Sequence, residues 1–286
     1  MKKVLITGGN GFIGRHLRRH LEMCGYEIFS PTSAELNILR QEDWEDWKTQ
    51  NIEYVIHLAG RTFVPDSWEN PEDFFKINTE GTLNVIRFCR AQNIGMTYIS
   101  AYIYGQPKRN PIPETAEVIP NNPYARSKYM AEELCKFFCE YYDMDITVLR
   151  LFNVFGPGQK EHFLIPFIIK QILNKDDVIS VQDLMPRRDY IYIEDVCRAI
   201  KMSIHKSRGY QLYNVGSGQS FSVGELIELS QKIAGTNKEV VSKNVVRKNE
   251  LNDVIADIRH IECEWGWKPE VSLKDGLAKC MEVNND

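Results

Sequence analysis

The chain has 286 residues, of which 43% are hydrophobic and 26% are charged. These proportions are those of an ordinary globular protein and exclude a disordered or fibrous chain. With 35 Lys and Arg against 39 Asp and Glu, the formal net charge is −4, which argues against nucleic-acid binding through a phosphate-neutralising surface. No apolar run is long enough for a membrane span or a signal-peptide core, so we expect a cytoplasmic protein without a membrane partner.

The seven Cys and six His form no recognisable metal site. An odd number of widely spaced cysteines is a poor disulfide framework and is typical of a reducing compartment. Cys135 and Cys139 are four residues apart on a predicted helix, but no His or acidic residue lies at ligand spacing beside them. The sequence therefore predicts that no metal is bound.

Short apolar segments alternate with segments of helical periodicity along the first half of the chain. The predicted strands are 2–7, 26–30, 53–57, 96–100 and 146–151, and the predicted helices are 12–24, 71–92 and 124–143. Strands separated by helices form βαβ units with right-handed crossovers, which predicts an α/β fold with a doubly wound parallel sheet. After residue 156 the pattern is less regular, with clear helical periodicity at 223–234 and 273–283.

A glycine-rich turn follows the first predicted strand and begins the first predicted helix. Gly8, Gly11 and Gly14 are spaced by three residues, and Phe12 and Ile13 lie at the start of the helix. A dinucleotide-binding turn needs a residue that tolerates positive φ, a backbone that approaches the pyrophosphate, and close packing of helix against strand. The free N–H groups of the helix N-terminus then face the anion. At the first strand–helix junction of a βαβ chain, this pattern predicts a dinucleotide site.

Tyr124 and Lys128 lie one turn apart on a predicted helix, so both side chains point to one cleft. A nearby cation favours the phenolate, and we expect it to lower the pKa of Tyr124 toward neutrality. Such a tyrosine serves as a general acid and base when an alcohol and a ketone are interconverted. Ser100, at the end of a predicted strand, offers a hydroxyl to the same carbonyl oxygen.

Together these features resemble the extended short-chain dehydrogenase/reductases, and more narrowly their nucleotide-sugar epimerase, dehydratase and reductase branch. The similarity continues in register through 55–60, 150–158, 188–196, 214–216 and 265–269, and it includes Arg247 ten residues before Asp257. It implies an enzyme with a nicotinamide cofactor, a nucleoside-diphosphate sugar as substrate, and a Rossmann sheet beside a smaller mixed α/β C-terminal substrate-binding part. We accordingly predict a dinucleotide-binding domain at 1–154 with a returning segment near 189–216. The substrate-binding part is then 155–188 and 217–286.

The resemblance also implies roles for individual residues. The implied catalytic residues are Ser100, Tyr124 and Lys128. The implied cofactor-binding residues are Gly8, Gly11, Phe12, Ile13, Gly14, Thr32, Asn37, Ile38, Leu58, Ala59, Gly60 and Lys128. The implied substrate-binding residues are Tyr102, Asn153, His162, Arg188, Tyr190 and Arg247, of which Asn153 and the two arginines match positions that hold the diphosphate. Asn78 matches another position near the active site, and a hydrogen bond inside a helix is an equally good interpretation of it.

Departures from the family pattern bear on the reaction. Dehydratases of the family carry an acidic residue in the segment 100–105, where this chain has Ala101 and Tyr102. The 3,5-epimerising reductases use a Cys near this position, which is absent here, and a downstream His. His162 is one residue out of register with that His, so it is a candidate contact of the hexose or a solvated loop residue. Both chemistries are therefore disfavoured.

The choice of cofactor depends on the end of the second predicted strand. NAD-dependent relatives place an Asp there that binds the ribose 2′-hydroxyl, and this chain has Thr32. A hydroxyl does not repel a 2′-phosphate, and Arg15 or Arg40 is a candidate for its countercharge. We predict NADP as the cofactor, with NAD as the alternative because Glu35 lies three residues beyond Thr32.

Three functions remain open on the sequence. The favoured one is a 4-ketoreductase of a nucleoside-diphosphate 4-keto-6-deoxyhexose. The second is a C4 epimerase with tightly bound NAD, and the third is a non-catalytic scaffold that senses a dinucleotide, which the intact Ser100, Tyr124 and Lys128 disfavour. We also expect helices 71–92 and 124–143 at one outer edge of the sheet, where such a pair forms a homodimer interface in the family.

Overall fold

A computed structural model describes residues 1–245 and 250–283 of the chain. The strands in chain order are β1 (Lys3–Thr7), β2 (Glu27–Phe29), β3 (Tyr54–His57), β4 (Gly95–Ala101), β5 (Ile146–Leu151), β6 (Asn153–Phe155), β7 (Val178–Val181), β8 (Arg187–Tyr192), β9 (Tyr210–Val215), β10 (Ser220–Ser222), β11 (Glu239–Ser242) and β12 (Asp253–Val254). Six of them form a parallel sheet in the order β2-β1-β3-β4-β5-β9.

Helices connect these strands on both faces of the sheet. In chain order they are α1 (Phe12–Met23), α2 (Val64–Glu69), α3 (Pro71–Phe74), α4 (Gly81–Gln92), α5 (Pro123–Tyr142), α6 (Leu164–Leu173), α7 (Ile193–Lys206), α8 (Val223–Ala234), α9 (Arg259–Trp265) and α10 (Leu273–Val283). None of the helices in residues 1–245 and 250–283 combines the length and the apolar character that crossing a membrane requires.

The side chains of β1 alternate between two hydrophobic cores, one on each face of the sheet. On one face, Leu5 lies in a core with Val85 of α4 and Cys135 of α5. On the other face, Ile6 shares a core with Ile200 of α7. Strands buried on both faces are typical of a parallel sheet covered by crossover helices. The predicted α/β fold with a doubly wound Rossmann sheet is confirmed.

The strand order reverses beside β1, because β2 lies on one side of it and β3 on the other. In an open parallel sheet, ligands bind in the crevice outside the carboxyl ends of the strands at this reversal. The glycine-rich turn follows β1 there, the segment 58–60 follows β3, and Ser100 lies near the end of β4. The topology thus gathers the predicted functional segments at one edge of the sheet.

A small mixed sheet is built around β8. This strand pairs in parallel with β6 and β12 and antiparallel with β10, and a separate parallel pair is formed by β7 and β11. The carboxylate of Asp189 in β8 accepts hydrogen bonds from the backbone N–H groups of Ser217, Gly218 and Ala256 at 2.6–3.0 Å. Asp189 thereby fastens the loop after β9 and the segment after β12 to the small sheet. The division of the chain at residue 154 stays a prediction.

The segment predicted as a single helix at 71–92 is more complex. A π-helical stretch, Phe75–Glu80, joins α3 directly to α4. A π-turn accommodates an extra residue within a helix and often marks a functional site. The helices α4 and α5 also lie side by side on one face of the sheet rather than at its outer edge, because their buried sides pack against β3, β4 and β5.

A buried ion pair connects α5 to β5 behind the predicted active site. The Arg150 guanidinium donates from Nη2 to Glu132 Oε2 at 2.5 Å and from Nε to Oε1 at 3.0 Å, and both side chains are at most 3% exposed. The guanidinium also lies 4.6 Å from the centre of the Tyr104 ring. Because a buried charge is very costly without its partner, this pair fixes the position of α5 relative to the sheet.

We therefore expect Glu132→Ala to lower the free energy of unfolding by about 3–5 kcal/mol, the cost of leaving a buried charge unpaired. Denaturation with urea, followed by circular dichroism, measures this change. Glu133→Ala removes the same charge from the adjacent exposed position and should have little effect. Equal stability of the two variants would contradict the role given to the ion pair.

Candidate active site

The glycine-rich turn is packed so tightly that two of its positions exclude a side chain. Gly8 has φ +75°, and a Cβ on it would lie 2.6 Å from the backbone nitrogen of Ala59. A Cβ on Gly14 would lie 2.5 Å from Gly9 Cα. Gly11 caps α1 without a side-chain hydrogen bond, which leaves that helix end to an anion. The turn therefore fits the pyrophosphate of a dinucleotide.

A chain of hydrogen bonds runs from the end of β1 to the π-helical stretch. The Thr82 hydroxyl donates to Asn78 O at 2.6 Å, so its oxygen accepts the proton of His57 Nε2 at 3.0 Å. His57 Nδ1 then accepts from the Thr7 hydroxyl at 2.6 Å. Burial and, to a smaller extent, the nearby Lys128 lower the pKa of His57 to about 3, so the ring stays neutral. This neutral ring connects the glycine-rich turn to α4.

Asn78 joins the loop after β3 to helix α5. Its side-chain oxygen accepts the Arg61 N–H at 2.8 Å, and its amide donates to Arg61 O at 3.0 Å and to Ser127 Oγ at 2.9 Å. Ser127 Oγ in turn donates to Tyr124 O at 2.8 Å. A Cβ on Gly60 would lie 2.8 Å from Asn78 Oδ1, which explains the glycine at that position. Asn78 thus makes internal hydrogen bonds that also position the segments of the predicted site.

The predicted catalytic residues lie on two adjacent elements, β4 and α5. Ser100 is buried, and its Oγ has no hydrogen-bond partner within the described chain. Tyr124 is half-buried in the first turn of α5, which Asn122 caps by accepting the Ala125 N–H at 2.8 Å. The Lys128 ammonium is buried and donates to Ile99 O at 2.5 Å. An unpaired buried hydroxyl beside such a helix fits a ligand oxygen.

The predicted lowering of the Tyr124 pKa is wrong for the protein without ligands. Burial raises this pKa well above the usual value for tyrosine, and the nearby Tyr102 raises it further. Burial also lowers the pKa of Lys128 to about 8. Desolvation disfavours both charged forms. The Lys128 ammonium donates to Ile99 O rather than to the Tyr124 phenol, and its Nζ lies 4.3 Å from the centre of the Tyr98 ring. Tyr124 therefore holds its proton at neutral pH.

Three predicted substrate contacts lie together on β6, β8 and the loop after β4. Asn153 is paired with Tyr190 in the small sheet, and its amide donates to Asp189 O at 3.0 Å. Tyr102 stacks on Phe152 and donates its hydroxyl to Asn153 Oδ1 at 3.1 Å. The Tyr190 side chain is buried, and its hydroxyl has no partner among the described residues.

The predicted diphosphate contacts are less complete. The Arg188 guanidinium forms an ion pair with Glu250 and donates to Leu251 O at 2.6 Å. Arg247 lies outside the described residues. His162 is exposed, and its ring centre lies 4.6 Å from that of Phe63 in the loop after β3. The His162 ring therefore lies against the loop that also carries the predicted cofactor-binding residues 58–60. The Arg188 guanidinium is paired with a carboxylate of the same chain.

The residues predicted beside the adenosine belong to one loop after β2. Thr32 is exposed, and its N–H donates to Glu35 Oε2 at 2.7 Å. Asn37 accepts the Leu39 N–H at 3.0 Å. Ile38 is buried and contacts α4, where its carbonyl accepts from the Asn84 amide at 2.9 Å.

The two predicted countercharges differ in their surroundings. Arg15 donates to Asn10 O at 3.1 Å and to Gly158 O at 3.2 Å. These bonds hold its guanidinium against the loop after β6. Arg40 is exposed at the end of the segment that follows β2. Neither position provides a guanidinium fixed beside Thr32.

Several residues with structural roles in this site had no predicted function. Asp189 stands between two predicted substrate contacts in the sequence, and His57 and Ser127 lie inside the motif segments. The only sequence signal for a role of these three residues was that each lies within a motif. They make hydrogen bonds to residues 25 to 67 positions away, and no local sequence pattern predicts such contacts.

Known proteins resemble this chain over nearly its whole length. The model of the NAD dependent epimerase/dehydratase family matches residues 4–216. A GDP-6-deoxy-D-mannose reductase from Pseudomonas aeruginosa is 32% identical over 292 residues, covering 98% of this chain and 96% of that protein. A putative UDP-glucose 4-epimerase from Methanocaldococcus jannaschii is 30% identical over 306 residues, covering 99% of each.

A solved structure extends this similarity to the fold. The structure of RMD from Pseudomonas aeruginosa complexed with NADPH matches with a TM-score of 0.91 at 32% identity, covering 99% of this chain and 98% of that one. The family resemblance derived from the motifs is confirmed. On its sequence and its fold, this chain belongs to the NAD dependent epimerase/dehydratase family.

Proposed function

We propose that the protein is an NADPH-dependent 4-ketoreductase of a nucleoside-diphosphate 4-keto-6-deoxyhexose. The observation that carries this proposal is the 32% identity, over 98% of the chain, to a GDP-6-deoxy-D-mannose reductase. The match to a fold complexed with NADPH supports the same cofactor. Tyr102 and Tyr190 contact the sugar. Asn153 contacts the diphosphate, for which Arg188 gives up its bond to Glu250.

The proposed reaction adds a hydride and a proton to the C4 ketone. When bound, NADPH supplies the hydride for the carbonyl carbon. The Ser100 hydroxyl, buried and without a partner in the described chain, donates a hydrogen bond to the keto oxygen. Tyr124 then transfers its phenolic proton to that oxygen, which becomes the C4 hydroxyl. A tyrosine whose pKa is raised by burial is protonated beforehand, as a general acid must be.

Lys128 provides the positive charge of the site. Burial lowers its pKa to about 8, so the ammonium form predominates at neutral pH and is lost as the pH rises through that value. A charged Lys128 stabilises negative charge that develops on the keto oxygen and on the Tyr124 phenol. Its hydrogen bond to Ile99 O keeps the ammonium at the carboxyl end of β4.

A C4 epimerase is the second candidate, and the 30% identity to a putative UDP-glucose 4-epimerase supports it. Epimerisation begins with oxidation, for which Tyr124 must accept a proton. Burial raises the pKa of Tyr124 and so disfavours the phenolate that this first step needs. The second half of epimerisation is a ketone reduction in which Tyr124 returns the proton, so net consumption of NADPH separates the two candidates.

We further propose a homodimer that forms through α5. Met130, Phe137 and Tyr141 are 43%, 46% and 70% exposed and lie on one side of this helix. A stripe of exposed large apolar side chains marks an interaction surface, and a second copy of the chain is the simplest partner because isologous pairs are the commonest oligomers.

The first experiment tests the reaction. The protein is incubated with NADPH and the 4-keto-6-deoxyhexose derivatives of GDP, dTDP and UDP, and both NADPH absorbance and the product are followed. We expect one of these sugars to be reduced at C4, with NADPH consumed in equal amount. The rate should fall as the pH rises through about 8, where Lys128 loses its proton. Interconversion of C4 epimers without net consumption of NADPH would instead identify an epimerase.

The second experiment tests the proton donor. Tyr124→Phe should reduce turnover at least about a hundredfold, the usual contribution of a positioned acid, and should leave NADPH affinity close to that of the wild type. Tyr142→Phe removes the same hydroxyl from an exposed position of α5 outside the proposed interface and serves as the control. Near-normal turnover of Tyr124→Phe would show that another group donates the proton.

The third experiment tests the interface. Phe137→Glu should convert a dimer into a monomer in light scattering at micromolar concentration, because a charge is costly inside an apolar contact. Met23→Glu changes a residue that is 79% exposed on α1 and should leave the dimer intact. A wild-type protein that scatters as a monomer would refute the dimer.

A further inference from the structure

The side chains of Arg18 and Ser30 both border Gly9 in the glycine-rich turn. Arg18 lies on α1, one turn after Gly14, and Ser30 directly follows β2. A Cβ on Gly9 would lie 1.8 Å from Ser30 Oγ and 3.4 Å from Arg18 Cδ. Because Gly9 has no side chain, both Ser30 Oγ and Arg18 Cδ have room beside the turn.

Neither polar group has a charged partner among the described residues. Ser30 Oγ is buried and has no hydrogen-bond partner in the part of the chain that the structure describes. The Arg18 guanidinium makes a long contact of 3.4 Å with the neutral side-chain oxygen of Asn10, and none of the ion pairs among the described residues includes it. A buried hydroxyl without a partner is costly, and a ligand that accepts its hydrogen bond removes that cost.

The location of this pair defines the kind of ligand. In a dinucleotide-binding sheet, the end of the second strand lies beside the adenosine ribose, where an acidic residue binds the 2′-hydroxyl or an arginine accommodates a 2′-phosphate. Here the nearby carboxylate is Glu35, and it accepts the N–H of Thr32 at 2.7 Å, so it is turned onto its own loop. Thr32 and Ser30 bring no charge to this end of the strand.

We propose that Arg18, together with Ser30, binds the 2′-phosphate of NADP and determines the preference of this protein for NADPH over NADH. A guanidinium pairs with phosphate oxygens through two parallel hydrogen bonds, and the serine hydroxyl donates a third. Arg15, one of the two candidates from the sequence for this role, donates instead to Asn10 O and Gly158 O. The proposal rests on the NADPH preference stated as part of the proposed function.

Calorimetric titration with NADPH and with NADH tests the site, because the two molecules differ by the 2′-phosphate alone. Arg18→Gln should weaken NADPH binding by about tenfold or more, the loss expected for a charge-assisted contact, and should leave NADH binding unchanged. Arg19→Gln removes the same charge from the next, exposed position of α1 and should change neither affinity. Ser30→Ala should weaken NADPH about three- to tenfold, as for a neutral hydrogen bond.

The outcomes separate this site from the wider proposal. Wild-type affinity of Arg18→Gln for NADPH, or an equal loss for NADPH and NADH, would overturn the role of Arg18. Equal losses in Arg18→Gln and Arg19→Gln would also overturn it, since they would reflect general surface charge. Tight NADPH binding that Arg18→Gln abolishes supports the site whether or not the sugar is reduced. Reduction of the sugar is measured separately, by product analysis, and its failure refutes the reductase alone.

Discussion

The hydrogen bonds of the Asn78 side chain hold the two halves of the active site together. One half is the loop after β3, whose backbone at Arg61 both donates to and accepts from this amide. The other half is α5, reached through Ser127, whose hydroxyl continues to the carbonyl of Tyr124. A π-helical stretch carries Asn78 at this point. The geometry of the predicted cofactor loop relative to the predicted acid depends on this one buried amide.

Burial sets the protonation states around this amide. His57 is neutral because its pKa is lowered to about 3, which lets it donate on one side and accept on the other. The same desolvation keeps the proton on Tyr124 and brings the pKa of Lys128 down to about 8. At neutral pH the Tyr124 phenol is therefore protonated, and the Lys128 ammonium has a pKa only slightly above the pH. A protonated phenol is the form that the reduction of a ketone consumes.

The smaller part of the molecule is fixed by buried carboxylates. Asp189 accepts from backbone N–H groups on two separate segments, as described above, and Asp195 at the start of α7 accepts from the N–H groups of Glu270 and Val271 at 3.1 Å. Burial raises the pKa of both aspartates, and these hydrogen bonds counteract the effect. The two carboxylates hold the loops that flank the small sheet, and with them the predicted substrate contacts Asn153 and Tyr190.

The sequence by itself determined five of the six strands of the large sheet, all but β9, and the positions of the glycine-rich turn, Tyr124 and Lys128. These features depend on local periodicity, on backbone conformation and on spacing within one helix. A short segment of sequence is enough to specify each of these. The π-helical stretch, the raised pKa of Tyr124 and the positions of Arg18 and Ser30 beside Gly9 were decided by the tertiary structure. Each depends on which distant groups are buried against each other, and burial is a property of the packed chain rather than of any segment.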